Sequence, residues 1–241
     1  MSLQGKVVAI AGGGSGMGAA IAKSLATAGA TVIIGGRTLS KLEEVAQSCE
    51  ATIHHRVLDV ADRASVEAFF SGIEADFGPT QVMINAAGIN IPKRMMYELA
   101  PEDWDRVMAI NSTGAYDCMR CVLPAMRASK EGMIINISSI SGKRAAALGG
   151  VAYNASKFAM TALGISVAEE DRLNGIRVTN IFPGEVDTPI LAARPKPVTE
   201  EHRSTMLQPE DLAAAVMMIV QLPPRAHIPE LIIKPTVQAY V

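Results

Sequence analysis

The chain has 241 residues, and 49% of them are apolar, which suits one large α/β domain around a buried sheet. A formal charge of −2, a pI near 6.1 and the lack of any Lys/Arg run exclude nucleic acid or an acidic membrane surface as an electrostatic partner. The three cysteines, Cys49, Cys118 and Cys121, exclude a disulfide framework and point to a reducing compartment, the cytoplasm.

In chain order, Lys6–Ala11 is a β-branched apolar run and reads as a buried strand. Gly12, Gly13, Gly14, Gly16 and Gly18 follow, then helix formers over Ala19–Ala28. Strand, glycine turn and helix is the setting in which backbone N–H groups meet a pyrophosphate. Two glycine registers fit: Gly14, Gly16 and Ala19, or Gly12-x-x-x-Gly16-x-Gly18. Thr31–Ile34 is the second strand and ends at Gly35-Gly36-Arg37-Thr38. An NAD site wants an acid here for the ribose hydroxyls, and none occurs before Glu43. Arg37 is instead placed for a 2′-phosphate, or it is a solvated loop arginine. A helix is predicted over Ser40–Ser48, capped by Ser40. Ile53–Leu58 is the third strand; Asp59 at its end either bonds an adenine or caps a loop, and His54 and His55 read as structural.

A helix from Asp62 to Phe77 stops at Gly78-Pro79. Val82–Ile84 is the fourth strand and runs into Asn85-Ala86-Ala87-Gly88, small residues that admit a flat ligand. Pro101–Arg127 reads as one long helical stretch with Asn111 inside it, a poor helix former that needs solvent or a buried partner. On it, Cys118-x-x-Cys121 has no second Cys/His pair, so no metal site is expected. Met133–Ile137 is the fifth strand, ending at Ser138-Ser139, and a loop spans Gly142 to Gly150. The next helix, to about Leu173, carries Tyr153 and Lys157, one turn apart on one face. A cation beside a phenol favours the phenolate and lowers its pKa from about 10. Arg177–Ile181, a last helix from Gln208-Pro209-Glu210 and a strand at Leu231–Ile233 complete the alternation. The proline-rich segment 189–206 is the candidate for a mobile substrate lid.

The alternation predicts one domain over 1–241: a doubly wound parallel sheet of about seven strands, with helices on both faces. No segment reads as a signal peptide or as a span of the ~20 apolar residues a bilayer needs.

Taken together, Gly12-x-x-x-Gly16-x-Gly18, Asn85-Ala86-Ala87-Gly88, Ser139, Tyr153-x-x-x-Lys157 and Pro183-Gly184 followed by Thr188 resemble the short-chain dehydrogenase/reductase family, over nearly the whole chain. Ala11 stands where that family usually has Thr. The resemblance implies a Rossmann-type fold and hydride transfer between a nicotinamide and a carbonyl or secondary alcohol. It implies Tyr153 as general acid or base, Lys157 lowering its pKa, Ser139 bonding the substrate oxygen and Asn111 holding a relay water. It also implies cofactor contacts at Gly12, Gly14, Ser15, Gly16, Met17, Gly18, Arg37, Asp59, Val60, Asn85, Ala86, Ala87, Gly88, Tyr153, Lys157, Pro183, Gly184, Val186 and Thr188. Arg37 and the missing acid favour NADP(H), with NAD(H) the alternative. The family also implies a homodimer or homotetramer through the Pro101–Arg127 and Val151–Leu173 helices. Two other functions compete: a reductase of 3-oxoacyl groups on acyl-carrier protein, with Arg127, Lys130 and Arg172 as a docking patch, and a cofactor sensor without turnover. Ile140–Val151, Glu185–Arg203, Met95, Met96 and Trp104 are expected to line an apolar pocket, with Glu185, Arg194 and Lys196 as polar contacts.

Overall fold

The computed structural model describes residues 2–239. Seven strands form one parallel sheet: β1 (Val7–Ala11), β2 (Thr31–Gly36), β3 (Ile53–Val57), β4 (Val82–Asn85), β5 (Gly132–Ile137), β6 (Ile176–Pro183) and β7 (Glu230–Ile233). Their order is β3-β2-β1-β4-β5-β6-β7. The period of two along each strand decides what it buries. Val8 and Ile10, with Val32, Ile34, Ile84 and Ile135, face one side. There they meet helices α1 (Gly16–Thr27), α2 (Leu39–Gln47) and α8 (Pro209–Gln221). Val7 and Ala9, with Ile33, Met83, Ile134 and Val178, face the other side. Helices α3 (Arg63–Phe77), α5 (Gly114–Ser129) and α6 (Val151–Asp171) cover them. Both faces are buried, which is why the strands read as continuous apolar runs rather than alternating ones.

Local signals set most boundaries. Asp62 caps α3 by accepting from Ala64 N–H at 3.0 Å. Gln208 and Asp211 form a reciprocal box at the start of α8, with Pro209 in its first turn. The second helix opens earlier than predicted: Thr38, not Ser40, is its N-cap residue. The long stretch from Pro101 is not one α-helix either. It comprises α4 (Pro101–Met108), a π-helical turn at Ala109–Thr113, and α5. Between β6 and α8, a 3₁₀ turn (Pro189–Ala193) and the four-residue α7 (Glu200–Arg203) carry the predicted lid. None of the helices described is long and apolar enough to cross a membrane.

The order of strands reverses direction between β1 and β4, whose carboxyl ends are Ala11 and Asn85. In open parallel sheets the crevice above such a point is where ligands sit.

Candidate active site

A cleft of about 630 Å³ opens above the ends of β1 and β4. The glycine turn forms its floor. Gly12 has φ +88°, and a Cβ there would lie 2.5 Å from Ala87 N. A Cβ on Gly18 would lie 2.2 Å from the Gly12 carbonyl, so the helix start could not approach the strand. A Cβ on Gly14 would meet only the Leu42 and Lys41 side chains, none closer than 3.4 Å. The two positions that backbone closes to a Cβ, Gly12 and Gly18, thus both belong to the Gly12, Gly16, Gly18 register. A close backbone cradle at a helix N-terminus is what a pyrophosphate requires. Arg37 and Lys41 stand at the far end of the cleft, and Arg37 is exposed with no carboxylate partner among the described residues. Asp59 lines the cleft as well, with one carboxylate oxygen occupied by Ala61 N–H at 3.0 Å.

A second cavity, about 190 Å³, adjoins the cleft, and Tyr153, Ser138, Met17 and Thr188 line both. Tyr153 therefore stands at their junction. Ser139 caps the 3₁₀ turn Ile140–Gly142, accepting Ser141 N–H at 3.1 Å, and it lines the smaller cavity with Tyr153, whose phenolate its hydroxyl favours. Ser138 is turned into α6: its hydroxyl reaches the Lys157 carbonyl and Thr161 Oγ1, each at 3.3 Å. Of the two hydroxyls, that of Ser139 is the one that acts on the Tyr153 phenol.

Lys157 is 3% exposed. Its ammonium donates to the Ile137 carbonyl at 2.9 Å and lies 5.7 Å from the Tyr153 ring centre. Burial pushes its pKa down to about 8. The expected depression of the phenol pKa by Lys157 does not appear. Burial raises the Tyr153 pKa, and the groups that oppose the rise are the Ser139 hydroxyl and the Arg94 charge.

Asn111 explains the π-turn. It is completely buried; Oδ1 accepts Ile89 N–H at 2.8 Å, and Nδ2 donates to the Ile89 carbonyl at 2.9 Å and to Ser156 Oγ at 3.0 Å. The extra residue in the turn aims the amide at the loop after β4, and π-turns of this kind recur at functional sites. Both amide hydrogens are used, so a relay water could be held only through the second Oδ1 lone pair.

The family model for short chain dehydrogenase matches residues 6–198. The chain belongs to this family. An oxidoreductase of Staphylococcus saprophyticus is 32% identical over 239 residues, covering 98% of this chain and 99% of that one. A metagenomic short-chain oxidoreductase in complex with NADP superposes with a TM-score of 0.85 at 32% identity, covering 99% of this chain and all of the other (100%). The 3-ketoacyl-(acyl-carrier-protein) reductase of Brucella melitensis, complexed with NADH, superposes with a TM-score of 0.88 at 28% identity, covering 98% and 99%. This protein is thus a short-chain oxidoreductase with the Rossmann fold of its family.

Gly12, Gly14, Ser15, Gly16, Met17, Gly18, Arg37, Asp59, Val60, Ala86, Ala87, Gly88, Tyr153, Lys157 and Thr188 line the larger cleft. Pro183, Gly184 and Val186 line the smaller cavity with Ser139. Asn85 and Asn111 line neither. The Asn85 amide is instead the first member of a buried ladder, donating to Asn136 at 2.9 Å, with Asn136 donating to Asn180 at 3.0 Å. Met95, Met96, Trp104 and Lys196 also stay outside the smaller cavity. Trp104 packs on the satellite core of Ile91, Val107 and Ala152, and Met96 is exposed. Three lining residues were not foreseen: Asn90, Arg94 and Gln238.

Proposed function

We propose that this short-chain oxidoreductase uses NADP(H) to interconvert a carbonyl compound and a secondary alcohol, with Tyr153 as the proton donor. The observation that carries the reading is the position of Tyr153 at the junction of the two cavities, with Ser139 beside it in the smaller one. The nicotinamide, when bound, supplies or accepts the hydride. Ser139 and Tyr153 receive the substrate carbonyl oxygen, and Ser139 stabilises the negative charge that grows on it. Tyr153 gives its proton to that oxygen, or takes one in the reverse direction. A raised phenol pKa keeps the donor protonated at neutral pH. Lys157 holds the ribose hydroxyls with the ammonium hydrogens left after its bond to Ile137. Asn111 fixes the loop after β4 and offers one acceptor to a relay water.

Arg37 supports NADP(H) over NAD(H): it is a free guanidinium at the end of β2, where no acid stands. Fluorescence titration of NADPH and NADH tests this. We expect NADPH to bind at least ~30-fold tighter, about 2 kcal/mol, and Arg37→Ala to remove the preference. Equal affinity for NADH in the unaltered protein would make Arg37 a solvated residue and the enzyme NAD-linked.

The likeness to the Brucella reductase keeps a carrier-linked 3-oxoacyl substrate as the second reading. Against it, Arg127 is not free to dock a carrier, because Asp171 holds its guanidinium at 2.7 and 2.8 Å. A cytoplasmic location and self-association belong to the same reading. Half-exposed Tyr116 on α5, with Phe158 and Ile165 on α6, suits a homodimer or homotetramer. Segment 189–206 is proposed to close over substrate. It brings Ile190, Leu191 and Arg194 to the cavity and is latched by Arg194–Glu185 and Arg203–Asp187, each at 2.6 Å.

A further inference from the structure

Arg94 follows the Asn85–Gly88 motif in the loop after β4, and it is 4% exposed. Its guanidinium donates to three carbonyls: Ile91 and Leu148 at 2.8 and 2.7 Å, and Ala193. All three acceptors are neutral. Among the described residues no carboxylate lies within ion-pair distance of it. A buried charge left without a counter-ion is expensive, and proteins ordinarily pair it. Among the described residues three of the five guanidinium N–H groups find acceptors, which leaves two.

The surroundings sharpen the imbalance. Arg194 lines the same cavity, and its charge acts on Arg94. Arg194 itself is neutralised by Glu185 at 2.6 Å, and Glu185 also takes His202 at 2.9 Å. The cavity wall thus carries two guanidinium groups against one carboxylate. The phenol of Tyr153 is close enough to feel the Arg94 charge. Leu148, Ile140 and Ile190 add apolar surface to the same wall.

We propose that the cavity takes a short oxo acid, whose carboxylate sits on Arg94 while its carbonyl oxygen meets Ser139 and Tyr153. The proposal rests on Tyr153 being the proton donor. The bound substrate supplies the counter-ion that the described residues do not, through charge-assisted hydrogen bonds to the two spare N–H groups. At about 190 Å³ the cavity suits a small acid. In the reductive direction the carbonyl carbon gains hydride from NADPH and the oxygen gains the Tyr153 proton. The products are the hydroxy acid and NADP+, and the carboxylate is unchanged.

The test compares 3-oxobutanoate and 4-oxopentanoate with their methyl esters. The expected kcat/KM is at least ~10-fold higher for one of the acids than for its ester, the size of one charge-assisted hydrogen bond. In Arg94→Met the acid-to-ester ratio falls towards one, chiefly through KM for the acid, and Arg94→Lys restores part of it. Esters turned over as well as the acids, or a preference that survives Arg94→Met, would overturn the proposal. A second measurement needs no variant: calorimetric titration of the wild-type protein with butanoate and with butanamide. Binding of butanoate alone is expected; binding of both equally, or of neither, counts against the Arg94 site. Turnover of esters without butanoate binding removes the Arg94 site only. Butanoate binding without turnover of either class removes Tyr153 as donor and leaves the anion site standing.

Discussion

Lys157 carries a charge that the fold resists. It is almost fully buried, and burial pushes its pKa down to about 8. Below that pH both the folded and the unfolded chain hold the proton, and the fold bears the whole cost. Between about 8 and the ordinary lysine value of about 10.4, the unfolded chain binds more protons, so stability rises with pH. At about 1.4 kcal/mol per tenfold change, the cost at neutral pH is about 3 kcal/mol. Lys157→Met removes it. Without nucleotide, we expect the variant to gain on wild type in urea denaturation at pH 7, and the gain to shrink by about pH 10. A difference that does not change with pH would contradict the burial of a charged lysine. The same residue scale separates what the sequence discloses from what it hides. That Tyr153, Lys157 and Ser139 gather at the cavities is legible because motif spacing survives in one dimension. Arg94 is not: the carbonyls of Leu148 and Ala193 that bury it lie 54 and 99 residues away.

Elements were legible in kind and less so in their joints. The apolar runs became strands because both faces of the sheet are covered, and the caps and prolines stopped most helices within a residue or two. The π-turn at Ala109–Thr113 was not legible, since it exists to let Asn111 reach Ile89, 22 residues earlier. On α6, Gly164 has a specific reason to be small. A Cβ there would lie 2.3 Å from Asn180 Oδ1 and 2.8 Å from Asn136 Nδ2. It would push apart the Asn85–Asn136–Asn180 ladder that ties β4, β5 and β6 beneath the site. Alanine gains about 1 kcal/mol over glycine in a helix, whereas leaving buried amides unpaired costs about 1–3 kcal/mol each. Two strained amides outweigh the gain. Gly164→Ala should lower Tm by roughly 4 °C, at ~2–4 °C per kcal/mol for a domain of this size. An unchanged or higher Tm by calorimetry would mean that the ladder yields without cost.

At the scale of the molecule, alternating strands and helices fix a parallel sheet, and the strand order β3-β2-β1-β4-β5-β6-β7 puts its switch point under the glycine turn. One crevice therefore collects residues from Gly12 to Ala193. Chain order announces the motifs, but not that Asn85 turns away into the sheet or that Gln238 comes back to the smaller cavity. On the reading proposed above, Tyr153 delivers a proton in this crevice as hydride moves. Single-turnover oxidation of NADPH with a reducible oxo compound, compared between wild type and Tyr153→Phe, tests it most directly. Loss of a general acid predicts a rate at least ~10²-fold lower in the variant, with NADPH affinity retained. A Tyr153→Phe protein that binds NADPH and turns over at a near-normal rate would contradict the account.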